Sequence, residues 1–106
     1  YLILALILLF TSTVSAQNKS EGVNRLIAQL KTDLPSTTDP AAIHARLGLL
    51  YLRLEQADSA QVSFERALKY NSDLAIAHTG LGRIELEMRD KPEKALSHFE
   101  TAAKID

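Results

Sequence analysis

Three histidines, His44, His78 and His98, are the chain's candidate imidazole ligands for a metal, and there is no cysteine beside them. A structural or catalytic ion needs further ligands and an oriented second shell of hydrogen bonds. His44 and His78 stand one repeat period apart, so any closeness between them follows from repetition alone. They read as helix-packing groups with polar tips, and no metal or cofactor is expected. General acid–base chemistry asks for two carboxylates that face each other. Glu85 and Glu87 are two residues apart on a helix and therefore diverge. The sequence has no nucleophile elbow, Gly-rich phosphate loop or HExxH. No catalytic residues are assigned, no small-molecule substrate is evident, and the chain is not expected to be an enzyme.

What the residues do show is repetition. His44, Leu47-Gly48, Ala60, Phe64, Ala67 and Lys69 return as His78, Leu81-Gly82, Ala95, Phe99, Ala102 and Lys104, displaced first by 34 and then by 35 residues. A period of this length belongs to stacked helical hairpins, each too small to bury its own apolar face. Gly48 and Gly82 fall mid-helix, where Gly costs about 1 kcal/mol against Ala, so a repeated glycine implies a repeated need for room. The small-large-small order of Ala60, Phe64, Ala67 and of Ala95, Phe99, Ala102 lets each ring fill the gap its neighbours open.

The elements that carry these residues follow from periodicity and punctuation. Val23, Leu26, Ile27, Leu30 and Leu34 make one apolar stripe, giving a first helix capped by Ser20 and closed by Pro35. Asp39-Pro40 opens a second helix, to Leu54. A third spans Asp58 to Tyr70 and a fourth Leu74 to Met88, with Asp73 as its cap. Asp90-Lys91-Pro92-Glu93 reads as a capping box for a fifth that runs to the end. Leu54 to Ala60 is six steps and Met88 to Ala95 seven, which places the extra residue of the second period in that turn.

The 106 residues allow one domain. All 12 basic and 13 acidic groups lie after residue 16, and a balance of −1 with alternating signs argues against nucleic-acid binding. Residues Leu2 to Phe10 are an unbroken apolar run, followed by Val14-Ser15-Ala16 and the polar Gln17-Asn18-Lys19. This is the layout of a secretory signal peptide cleaved after Ala16. A spanning helix needs about 20 apolar residues, so membrane contact is expected only through an uncleaved N-terminal segment. Without a charged leader or initiating Met, the chain is expected to extend upstream of Tyr1.

The paired motifs resemble two consecutive tetratricopeptide (TPR) repeats, whose pattern is W-x2-L-G-x2-Y, then A-x3-F, then P. The first unit matches at Leu47-Gly48, Tyr51, Ala60, Phe64 and Ala67, the second at Leu81-Gly82, Ala95, Phe99 and Ala102. Both Trp positions hold His, Glu85 replaces the Tyr, and Ser72 stands in the Pro position. Glu85 could reach Arg89 one turn on, or mark a looser second unit. The resemblance implies an all-α helical-hairpin solenoid. Residues 1–16 would be the signal peptide, 17–39 a capping helix and linker, and 40–106 the two repeats (40–73 and 74–106).

The resemblance also implies a concave groove lined by the first helix of each pair, binding a peptide or helix of a protein partner. Carried over by position, it would show Ala42, Ala45, Leu49, Leu52 and Arg53 from the first unit. Ile76, Thr79, Arg83, Leu86 and Glu87 would follow from the second. Family members that clamp a carboxylate-ended tail use Lys and Asn one turn apart, where this chain has Ala45 and Leu49, so that mode does not carry over. The expected function is a non-enzymatic interaction scaffold of an exported bacterial protein, in the periplasm or cell envelope. The alternative is the N-terminal scaffold of a longer exported enzyme or envelope-assembly protein. The outward apolar positions Leu96 and Ala103 lack a cap, so continuation past Asp106 or pairing with a second subunit is expected.

Overall fold

The computed structural model describes residues 1–105, and of residues 10–12, 15 and 16 the backbone alone. The expected cleavage side chain Ala16 and the expected repeat end Asp106 lie outside what is described. Five helices follow in chain order: α1 Leu2–Asp33, α2 Pro40–Arg53, α3 Ala57–Tyr70, α4 Ala75–Arg83 and α5 Pro92–Ile105. A 3-10 turn, Leu34–Ser36, follows α1, and α4 runs on into a π-helical turn, Ile84–Met88. Among the described residues there are no strands. The architecture is an all-α, TPR-like solenoid of helical hairpins, α2 with α3 and α4 with α5.

The connections are short and their closure is visible in hydrogen bonds. Pro35 sits in the 3-10 turn, and Asp39 caps α2 by accepting from the Ala42 N–H at 3.1 Å, with Pro40 at the first helical position. At the end of α2, Glu55 takes a left-handed φ of 57° and the Gln56 N–H donates to the Tyr51 carbonyl at 3.0 Å. That is a Schellman closure, and it reverses the chain within three residues. Asp90, φ 52°, plays the same part after α4.

The core alternates small and large residues as the repeat demands. Phe64 is fully buried among Ala45, Ala60, Ala67, Ala77, Leu81 and Ile84, so both hairpins contribute to its surroundings. A Cβ on Gly48 would lie 2.6 Å from its ring and one on Gly80 2.4 Å, so the ring is wedged between α2 and α4 at two bare backbones. Gly82 receives Phe99 in the same way, at 2.6 Å. Phe99 is only half-buried. A second cluster packs Val23 and Ile27 of α1 onto Ile43 and Leu47 of α2.

Four local expectations are corrected. Ser20 is not a cap: α1 is continuous from Leu2, and the Ser20 hydroxyl donates to the Gln17 carbonyl one turn back. Such back-bonding lets a serine sit inside a helix. Asp73 is not the cap of α4, whose first residue is Ala75 and whose N-cap is Leu74; the Asp73 N–H instead donates to Asn71 Oδ1 at 3.1 Å. The 90–93 capping box is out of register by one, since α5 begins at Pro92 and its first bond runs from the Ala95 N–H to the Lys91 carbonyl.

The fourth correction concerns the extra residue, which is not in the turn. Glu55 to Ala60 and Asp90 to Ala95 are both five steps. The surplus lies inside the fourth helix, where it opens the π turn. The closing bond there runs from the Lys91 N–H to the Glu85 carbonyl at 2.7 Å, six residues back, against five for Gln56 and Tyr51. One inserted residue widened the helix by one position and left the loop alone.

Candidate partner-binding groove

On one side of the solenoid a groove of ≈ 580 Å³ opens between α1, α2 and α4. Its floor is Leu26 and Leu30 of α1 with Leu49, Leu50 and Leu52 of α2. Arg46 and Arg53 of α2 and Arg83 of α4 stand at its rim. Arg46, Leu49, Leu50 and Arg53 follow the i, i+3, i+4, i+7 spacing of one helix face, which is why α2 presents two leucines between two cations. Burial on the adjoining face, to which the floor residue Leu52 also belongs, fixes this orientation. Ala45, Leu52 and their neighbours must cover Ala60, Phe64 and Leu81.

Of the ten positions carried over by resemblance, the groove brings together Leu49, Leu52, Arg53 and Arg83. Ala45 is buried in the core, so it presents no surface to a ligand, and Ala42 is half-buried. Ile76 and Thr79 are exposed on α4 two turns and one turn before Arg83, outside the groove. Leu86 is 47% exposed on the π turn, whereas Leu52 is buried. Glu87 pairs with Arg83 at 3.2 Å. The leucines of α1 were missed because the carried-over positions came from the first helix of each pair alone. Only Val23 and Ile27 are buried, and Leu26 is 53% exposed. Arg46 was missed although its seven-residue spacing from Arg53 was a readable signal.

The other candidate residues make separate, local arrangements. His44 is buried and stacks on Tyr70, ring centroids 5.7 Å apart and 10° from coplanar, with Nδ1 lacking a hydrogen-bond partner. Burial, and secondarily the Arg66 guanidinium, hold its pKa below the ordinary 6.5. His78 Nε2 lies 3.0 Å from the Ser72 carbonyl, where it ties α4 to the turn before it. Among the described residues no group of three or more His, Cys, Asp or Glu converges as a metal site. Glu85 is buried at the Tyr51-equivalent place and does reach Arg89, at 3.0 Å; Arg89 also holds Asp58 of α3 at 3.0 Å. The carboxylate therefore joins the two hairpins through one guanidinium. Among the described residues no helix is long and apolar enough to cross a membrane.

No protein-family model matches the chain. Over 86 residues, 77% of this chain, it is 34% identical to a mouse (Mus musculus) protein, Superkiller complex protein 3, and it spans 5% of that relative's length. That likeness and the two nested hairpins are together compatible with a TPR-like repeat.

Proposed function

We propose that the chain is a non-enzymatic interaction scaffold that seats a peptide or helix of a partner protein in the groove of α1, α2 and α4. The observation that carries this reading is the leucine floor open to solvent between three helices that are otherwise fixed by packing. An apolar trough with cations at its edge suits helix-in-groove recognition, in which apolar anchors give affinity and rim charges give selectivity. The relative's name places it in a complex, which agrees with a scaffold role. Its far greater length favours a second reading, a scaffold module of a longer exported enzyme or envelope-assembly protein.

Export is part of the proposal. Leu2–Leu9 are all exposed along the first turns of α1, an apolar surface of the kind expected of a segment read by an export machinery and removed. Secreted material should begin at Gln17; a mature protein that retains Tyr1–Ala16 overturns this. For the groove, Arg53→Glu with Arg83→Glu should abolish capture of partner protein while helical circular dichroism is unchanged. Unchanged capture would move the binding face elsewhere.

A further inference from the structure

The groove does not end at its leucines. Two smaller depressions of ≈ 410 and ≈ 190 Å³ adjoin it along α1, and both share Arg53 with it. They add Lys19 as a fourth cation, and both touch Val23. No Asp or Glu lines any of the three, in a chain that carries 13 acidic groups against 12 basic ones. Arg83, at the far end of the track, is paired with Glu87. Arg46, Arg53 and Lys19 make no ion pair among the described residues. A surface balanced overall has therefore been sorted so that one sign borders the apolar floor.

We infer that the occupant of this groove is an acidic amphipathic helix, its apolar face on Leu26, Leu30, Leu49 and Leu50 and its carboxylates along the edge that meets Arg46, Arg53 and Lys19. The inference rests on the scaffold reading above and adds the partner's chemistry. Charge complementarity carries it: unpaired guanidiniums beside a desolvating floor reject a basic partner and gain from an acidic one. Guanidinium also suits carboxylate better than ammonium does, since its planar fork takes both oxygens. Single-stranded nucleic acid is the other polyanion to weigh, and it is disfavoured because no aromatic ring lines the track for bases to stack on.

The test uses the 106-residue chain and labelled helical peptides of about 15 residues, with leucine on one face and glutamate along the edges. Gln-edged and Lys-edged counterparts and a single-stranded RNA oligonucleotide complete the set. Fluorescence anisotropy should show the Glu-edged peptide binding at least about tenfold tighter than the Lys-edged one, with the difference shrinking as salt is raised. Arg46→Glu with Arg53→Glu should invert that order, and Arg66→Glu, outside the groove, should not. Equal binding of the Glu- and Gln-edged peptides overturns the charge inference but leaves the groove intact as a peptide site. RNA binding tighter than any peptide overturns both. Self-association of the chain that the double variant abolishes would give the groove to a second copy, and likewise overturns the inference.

Discussion

Replacing Gly80 by Ala should destabilise a protein that most helix arithmetic says it should stabilise. Within a helix, Ala is favoured over Gly by about 1 kcal/mol. Here the new methyl would stand 2.4, 2.5 and 2.7 Å from three atoms of the Phe64 ring, where ordinary contact begins at 3.4 Å. The ring must move by about 1 Å, and it has little room to do so, since it lies so close to the α2 backbone that a Cβ on Gly48 would stand 2.6 Å from it, and the ring is fully buried. Overpacking of that kind costs about 1–3 kcal/mol, and with the propensity gain of about 1 kcal/mol set against it the net loss is up to about 2 kcal/mol. Urea unfolding followed by helical circular dichroism measures it, beside Gly22→Ala. That position in α1 has nothing within 4 Å and should gain up to about 1 kcal/mol. Phe64→Leu added to Gly80→Ala should restore part of the loss. If Gly80→Ala is as stabilising as Gly22→Ala, the wedge between the hairpins is not what holds them.

Three other expectations follow from the packing. Arg89→Ala strands the buried Glu85 carboxylate and should cost about 2–4 kcal/mol in the same assay, while Asp58→Asn, whose carboxylate is exposed, should leave the midpoint unchanged. Because the folded pKa of His44 lies below 6.5, the unfolded chain takes up a proton first as pH falls. Stability should drop below pH 6.5 until the folded pKa is passed, and His44→Phe, which keeps the stack on Tyr70, should flatten thermal midpoints across that window. Removing Leu86 should excise the π turn and restore a 34-residue period, with helical content retained and a midpoint close to the parent's. Removing Leu50 from α2, where no surplus exists, should unfold the first hairpin.

Much of this architecture was legible in the sequence because repetition doubles every signal. The glycine–phenylalanine pairs, the Asp39 cap and the short loops all follow from residue type and spacing. Gly80 was not legible: Arg46 occupies the same place in the first unit, so the period marked only Gly48 and Gly82. The need for Gly80 appears when a second hairpin closes on Phe64, a contact between units that a motif within one unit does not encode. The position of the extra residue was hidden for a related reason. Counting between matched residues bounds an insertion, but only the backbone bonds from Lys91 and Gln56 show which side of the left-handed residue it falls. The groove was half legible. Leu49, Leu52, Arg53 and Arg83 came from the family's geometry, whereas Leu26 and Leu30 required knowing that α1 tilts only Val23 and Ile27 into the core.

The scaffold role requires that a partner lie on the leucine floor beside Arg46 and Arg53. Methyl NMR of the chain titrated with the Glu-edged peptide reads this directly. Shifts should concentrate on Leu26, Leu30, Leu49 and Leu50, while Val62, which lines a separate cavity with Lys31 and Arg66, stays put. Shifts at Val62 and Leu47 with the groove leucines unmoved would contradict it.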